Sequence, residues 1–412
     1  MMKLFEELKW RGLIESVTSP DLEEKINQGG LTFYIGTDPT ADSLHIGHFS
    51  SMLTAKRLKN HGHNPIILVG GGTGLIGDPR ATKERDVISK DFLQKNYEAL
   101  KKQIQELFGY EMVNNYDWYE NLNFIDYLRD YGKLFNINYM LSKETVKSRL
   151  ETGISYTEFS YMILQSIDFL HLYEKKGCTM QIGGQDQWGN ITAGLELIRK
   201  KHGTDAECYG LTMPLITKAD GTKFGKTESG TVWLDKKKTS VYEMYQFLVN
   251  AEDEKVVDYL KKLTFLTKEE IEEYEEKVKT APFKREAQKA LAKEVITFLH
   301  GEEAYEKAVN IASALFKGNI KELDQEDIKQ VLQGLEKCSI DDHMNLVDAL
   351  VSAGIASSKR EAREWIKQGS IQVNGEKVTQ EDFIISKENA ICDHMTLIKR
   401  GKRNYYVILQ DS

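Results

Sequence analysis

Cysteine is scarce in this sequence. Its four cysteines, Cys178, Cys208, Cys338 and Cys392, lie far apart in 412 residues and never form a Cys-x-x-Cys pair. That spacing argues against a disulfide framework and a cysteine zinc site, and it fits a cytoplasmic, reducing location. Histidines are few and scattered, so no structural metal is expected. No apolar run approaches the ~18 residues a membrane helix needs, and Met1-Met2-Lys3-Leu4-Phe5-Glu6-Glu7 lacks the apolar centre of a secretory signal. Neither a membrane location nor export is expected. Internal repeats and low-complexity tracts are also missing. The net charge of −8 disfavours a broadly basic surface for nucleic acid. The acidic excess lies in residues 1–344, however, whereas residues 345–412 are slightly basic, so local patches remain available.

What is present is a soluble, multidomain composition: 41% hydrophobic and 29% charged residues over a length that predicts two to four domains. The first 220 or so residues alternate short apolar runs (Leu31–Ile35, Pro65–Val69, Thr179–Ile182, Leu211–Ile216) with helical periods such as Leu93, Tyr97, Leu100, Ile104 and Leu107. Such alternation predicts an α/β fold, a doubly wound parallel sheet with helices on both faces and a ligand crevice beyond the strands' carboxyl ends. From Ser240 to about Lys317 the periods are helical throughout. Residues 318–344 are polar, acidic and weakly periodic, which predicts a tether. The tail then restarts with two short helices, near Asn345–Val351 and from Ser357-Ser358-Lys359-Arg360. A strand, Ile371–Val373, follows and runs into Asn374-Gly375, a dipeptide favoured in two-residue hairpins.

His45-Ile46-Gly47-His48 opens a helix just past the first of these strands. A helix N-terminus offers free N–H groups and partial positive charge to a phosphate, and the glycine lets a flat ligand approach. Two histidines there could equally be capping residues. Gly72-Thr73-Gly74-Leu75-Ile76-Gly77 has the spacing of a dinucleotide fingerprint, but Asp78-Pro79 interrupts the helix that should follow. It reads instead as a tight turn that presents Asp78. Gly221-Thr222-Lys223-Phe224-Gly225-Lys226-Thr227 falls one residue short of a Walker loop and leaves a glycine-rich loop with two lysines. Tyr161, Gln165 and Asp168 share a helical face among apolar neighbours, which predicts a polar stripe facing a pocket. Gln181-Ile182-Gly183-Gly184-Gln185-Asp186-Gln187 reads as a strand followed by a second ligand-facing turn.

In this order and spacing, these segments resemble a bacterial-type tyrosyl-tRNA synthetase of class I along essentially the whole chain. The class signatures His-Ile-Gly-His and Lys-Met-Ser-Lys-Ser read here as His45–His48 and Lys223-Phe224-Gly225-Lys226-Thr227. Tyr34-Ile35-Gly36-Thr37-Asp38-Pro39-Thr40 and Gly77-Asp78-Pro79 add to the match, and the tail is similar to a small RNA-binding fold of a ribosomal protein. The resemblance implies a catalytic domain over 1–235, a helical anticodon-side domain over 236–320, a linker over 321–344 and an RNA-binding domain over 345–412. It implies a cytoplasmic homodimer that joins L-tyrosine to tRNA(Tyr), using ATP with Mg²⁺ as co-substrate and no protein-bound metal.

Because the substrate carboxylate is already ionised, such a reaction needs no side-chain nucleophile or general base. Positioning and charge stabilisation must supply the rate. The resemblance places Thr40, His45, Lys223, Lys226 and Thr227 at the phosphates, with Lys83 and Arg85 as a cationic lid. Gly36, Asp38, Gly47, His48, Gly184 and Asp186 fall on the ATP side. Tyr34 and Asp168 would bond the substrate phenol, with Asp78, Tyr161, Gln165, Gln181 and Gln187 around the rest of tyrosine. A pocket built to bond a hydroxyl rejects phenylalanine, and this family is itself the reference case, at about 10⁵-fold without editing. Ile35 departs from a family cysteine that touches the ribose, and Gln185 from a smaller residue. The segment holding Lys83 and Arg85 differs in length from familiar members. The competing readings are the sibling tryptophanyl enzyme and an RNA-binding protein that has kept the fold without catalysis.

Overall fold

The computed structural model describes residues 2–79, 88–227, 230–317, 319–333, 335, 337–401 and 404–411. Two compact units divide it. One comprises residues 1–227, 233–235 and 252–275, and the other residues 228–232, 236–251 and 276–412.

The first unit is built on a six-stranded sheet. Its strands are β1 (Ser16–Val17), β2 (Thr32–Thr37), β3 (Asn64–Val69), β4 (Glu111–Asn114), β5 (Cys178–Gly184) and β6 (Tyr209–Met213), in the order β1-β6-β5-β2-β3-β4. All neighbours are parallel except the short edge strand β1, which runs antiparallel to β6. Near-continuous apolar burial along β3 and β6 fits strands covered on both faces. The helices that position the site are α1 (Ile46–Asn60), α2 (Thr73–Ile76), α3 (Lys90–Phe108), α4 (Tyr156–Lys176), α5 (Trp188–His202) and α6 (Asp253–Leu263). Because β2 lies between β3 and β5, the carboxyl ends of β2 and β5 flank the point where strand order reverses, where a crevice is expected.

Three expectations about chain organisation need correction. Helical periodicity assigned residues 252–275 to the helical domain, but α6 belongs to the first unit and packs on α1. Periodicity shows that a face is buried without showing which core buries it. The tether expected over 321–344 contains a helix, Gln325–Gln333, and a strand, Lys337–Asp341. Ile328, Val331 and Leu332 of that helix are buried. The tail sheet therefore begins before residue 345.

In the second unit, the helices Val241–Val249, Glu286–His300 and Glu302–Lys317 pack together. The C-terminal sheet places Glu376–Lys377, Ile371–Val373, Met395–Arg400, Asn404–Asp411 and Lys337–Asp341 in that order. Its last pair is parallel and the others antiparallel. Asn374 and Gly375 turn the expected hairpin, both with positive φ (50° and 86°), as a type I′ turn requires. Ile311, Leu315, Ile328, Leu332, Leu397 and Val407 form one apolar cluster, so helices and tail share a core within this unit.

Candidate active site

The cleft at the carboxyl ends of β2 and β5 has a volume of about 810 Å³. Its wall brings together Tyr34, Gly36, Asp38, His45, Gly47, His48, Asp78, Tyr161, Gln165, Asp168, Gln181, Gly184, Asp186, Gln187, Lys223 and Lys226. Thr40 is exposed outside that wall, its N–H bonded to the Asp38 carbonyl at 2.8 Å, and Thr227 also stands outside it. Lys83 and Arg85 lie outside the described residues.

One end of the cleft is buried and heavily hydrogen-bonded. Asp168, 2% exposed, accepts from Trp118 Nε1 at 2.9 Å, Tyr119 Oη at 2.5 Å and Asn115 Nδ2 at 3.0 Å. Burial pushes its carboxyl up to about 7 despite these three donors. Tyr119 Oη also lies 2.6 Å from the Leu164 carbonyl, so its single O–H faces two acceptors. Both contacts form together when Asp168 carries a proton and donates it to Tyr119. Tyr34, 1% exposed, sits beside Gln181 on the neighbouring strand. Tyr34 Oη and Gln181 Oε1 are both buried without a hydrogen-bond partner. Burial, then the nearby Asp168 charge, holds the Tyr34 phenol protonated far above its ordinary range.

Next to this end lies an amide network. Asp78 accepts from Gln187 Nε2 at 2.8 Å and Asn190 Nδ2 at 3.2 Å, and Asn190 also donates to Gln165 Oε1 at 3.0 Å. Gly77, with φ of 85°, turns the chain after α2 and sets Asp78 in the cleft wall. The four-residue length of α2 removes the dinucleotide reading: that fingerprint needs a full helix behind its glycines.

The opposite end is built from a helix terminus and a loop. His45 caps α1: its Nδ1 accepts from Gly47 N at 3.1 Å, while His48 Nδ1 accepts from His45 N at 3.4 Å. The rings stack with centroids 3.7 Å apart. The two readings of the histidine pair are therefore compatible, since each ring caps through Nδ1 and also lines the cleft. With Nδ1 accepting, each ring keeps its proton on Nε2. Burial is the main cause that lowers His45 to about 4, with help from Lys226 and Lys223. Burial and then His45 lower His48 to about 3. Both rings are neutral donors at pH 7.

The lysine loop is a hairpin. Phe224 N bonds the Ile216 carbonyl at 3.0 Å and Lys218 N the Thr222 carbonyl at 2.8 Å, with Gly221 (φ 82°) at the turn. Lys223 and Lys226 are exposed, whereas Phe224 between them is buried. Among the departures, Ile35 is part of the wall, and Gln185 is tied by a hydrogen bond from Thr212 Oγ1. Asn115, Trp118, Tyr119 and Asn190 were missed from sequence. The signal for the first three is the run Asn115-Tyr116-Asp117-Trp118-Tyr119 immediately after β4, an aromatic and amide cluster at a strand's carboxyl end.

This cleft, at a switch point and with a His-Ile-Gly-His helix start facing a two-lysine loop, matches a known family of proteins. The family described as tRNA synthetases class I (W and Y) matches residues 26–317. A second, the tyrosine–tRNA ligase C-terminal domain, matches residues 327–408. The chain belongs to the class I tRNA synthetases of the tryptophan and tyrosine branch. The chain is 52% identical to tyrosine–tRNA ligase 1 of Bacillus subtilis (strain 168), over 99% of each chain. It is likewise 52% identical to the tyrosine–tRNA ligase of Geobacillus stearothermophilus, again over 99% of each. A solved C-terminally truncated mitochondrial tyrosyl-tRNA synthetase from Coccidioides posadasii superposes with a TM-score of 0.66 at 33% identity, covering 75% of this chain and 92% of its own. A tryptophanyl-tRNA synthetase from Encephalitozoon cuniculi shares the fold at 14% identity and a TM-score of 0.55. Within the branch, the full-length likeness is to the tyrosine enzymes: the chain is a tyrosine–tRNA ligase, an aminoacyl-tRNA-forming enzyme.

Proposed function

We propose that the cleft activates L-tyrosine with ATP and then passes the tyrosyl group to the 3′-terminal ribose of tRNA(Tyr). The observation that carries the substrate end is the pair of partnerless buried atoms, Tyr34 Oη and Gln181 Oε1, beside Asp168. Buried polar atoms without partners are uncommon in folded proteins, and a ligand that bonds them accounts for both. The substrate phenol bridges Tyr34 and Asp168, whose Oδ2 accepts only one of the three protein donors. The ammonium group meets Asp78, Tyr161 and Gln165, with Gln187 and Asn190 orienting the first and last.

The tyrosine carboxylate attacks the α-phosphorus in line. A P–O bond forms there as the bond to the bridging oxygen breaks, and pyrophosphate leaves with the electron pair. Neutral His45 donates through Nε2–H to the phosphates, Lys223 and Lys226 carry the countercharge, and Thr40 and Thr227, outside the cleft wall, would add hydroxyl donors. His48 faces the adenosine, Asp186 the ribose, and Gly36, Asp38, Gly47 and Gly184 the rest of ATP. The phosphate role expected of Lys83 and Arg85 falls on residues outside the described ones. Mg²⁺ arrives with ATP as part of the substrate. No step in this scheme needs an editing site. Tyrosine-dependent, tryptophan-independent ATP–pyrophosphate exchange tests the reading, and unchanged exchange in both His45→Ala and Lys226→Ala overturns the residue roles.

A cytoplasmic location and a homodimer complete the proposal. Phe124, Ile125, Leu128, Ile137, Leu150 and Tyr156, all within residues 124–156, are exposed large apolar side chains that a second copy would cover. The C-terminal region would hold tRNA. Because Lys337–Asp341 pairs with Asn404–Asp411, a cut at residue 345 would split one sheet. The informative truncation ends at Lys317, and it should spare exchange while abolishing charging.

A further inference from the structure

Helix α6 touches the lysine loop at one end and is pinned to the histidine helix at the other. Glu252, Lys255 and Tyr259, spaced three and four apart, share a face. Glu252 Oε2 accepts from Ala219 N at 2.7 Å, Lys255 Nζ donates to Thr217 Oγ1 at 3.5 Å, and Tyr259 Oη donates to the Thr217 carbonyl at 3.0 Å. The Tyr259 ring packs on Phe224, with centroids 4.3 Å apart. Phe224 lies between the exposed Lys223 and Lys226 in the chain, so this contact bears on the position of both. On its other side the loop presses on the start of α1. Gly225 has φ of 88°, and a Cβ there would fall 2.4 Å from the Ile46 side chain.

The far end of α6 is held by two buried arginines. Arg11 donates to the Lys261 and Leu266 carbonyls at 3.0 and 2.7 Å. Arg57, on the last turns of α1, bonds the Thr264 carbonyl and lies 4.9 Å from the Phe265 ring. Arg57 is 4% exposed, and its Nε and Nη1 have no partner. A buried cation with unfilled donors is a costly way to pack a helix if stability is all that matters. What it achieves here is a fixed register between α6 and α1, the helix whose first turn carries His45 and His48.

We infer that α6 is a strut setting the lysine loop against the two histidines, with Tyr259 as the positioning residue that transmits it. Tyr259 touches no substrate in this scheme; it acts through Phe224 on Lys223 and Lys226. The inference rests on the reading that those lysines stabilise the phosphates.

A double-mutant cycle in the full-length chain tests it, using ATP–pyrophosphate exchange for kcat and equilibrium dialysis without ATP for tyrosine affinity. Tyr259→Leu should lower kcat by about tenfold or more, the scale expected when a catalytic group is misplaced. Tyrosine affinity should not change. In a Lys226→Ala background the same change should cost clearly less than in wild type, because one of the two charges it positions is already gone. Tyr259→Phe, which keeps the ring, should recover most of the rate. If Tyr259→Leu does not fold, Phe224→Ala removes the same contact from the loop side and carries the same expectations. Losses that multiply in the double mutant, or a fall in tyrosine affinity together with kcat, would overturn the strut while leaving the loop's role intact. If Lys226→Ala alone leaves kcat unchanged, the phosphate reading of the loop fails and the strut falls with it.

Discussion

The two ends of the cleft are made differently. At the phenol end, Asp168, Tyr119, Trp118 and Asn115 are tied into one buried network before any substrate arrives. At the phosphate end, two neutral histidines cap a helix and two lysines stand exposed on a hairpin. Recognition of a small rigid ring benefits from groups that are already fixed, since a stranded polar atom then penalises the wrong ligand. Stabilising charge that exists only in the transition state benefits from cations that can close on it. On the proposed reading, selectivity is built into one end and rate is assembled at the other.

Substitutions should separate the ends. The largest effect is expected from Lys226→Ala: a fall of about 10²–10³ in exchange kcat, the scale for losing one transition-state charge partner, with tyrosine affinity within about twofold of wild type. A matching loss of tyrosine affinity would erase the distinction between the ends. Next comes Asp168→Asn. Whichever way the amide is turned, its NH₂ faces a donor, either Asn115 Nδ2 or Trp118 Nε1. Tyrosine affinity should drop by about 10–100-fold, from roughly 1–3 kcal/mol for a buried polar group left without a partner. Calorimetry would show it, and an unaltered affinity would remove Asp168 from the pocket. Tyr34→Phe deletes one neutral contact, so the preference for tyrosine over phenylalanine should narrow by about 1 kcal/mol, several-fold in relative kcat/KM. An unchanged ratio would make Tyr34 a packing residue.

Much of this contrast could be read in the sequence, and the exceptions have physical reasons. Tyr161, Gln165 and Asp168 recur at helical spacing in an apolar setting, and all three line the cleft. The start of α1 was marked by its residues, since a helix end needs groups to satisfy free N–H donors. Asn115, Trp118 and Tyr119 lie in and beside a four-residue helix too short to show a period, and they meet Asp168 only through the fold. Asn190 reads as one more helical position until Asp78 comes up beside it. The strand Lys337–Asp341 was read as a tether because its pattern is weak; only one of its five residues, Ile340, is buried. Its pairing partner lies about 70 residues away, a distance that local patterning does not register.

The two ends are set against each other most directly by the pH dependence of stability in the free protein, where their effects oppose. Asp168 titrates near 7 when folded and near its ordinary 3.8 when unfolded, so between those values the folded chain binds the extra proton. Its contribution to stability therefore falls as pH rises from about 4 to 7. His45 and His48 are lowered from 6.5 to about 4 and about 3, so there the unfolded chain binds the extra protons. Their contribution rises with pH from about 3 to 6.5. Over pH 4–6.5 the slopes oppose and partly cancel in the wild type. Urea midpoints measured across that range should climb more steeply with pH in Asp168→Asn than in wild type, and less steeply in His48→Asn. Identical slopes in all three proteins would mean that neither end carries the buried, shifted groups that distinguish it. A steeper slope in Asp168→Asn alone would confine the contrast to the phenol end.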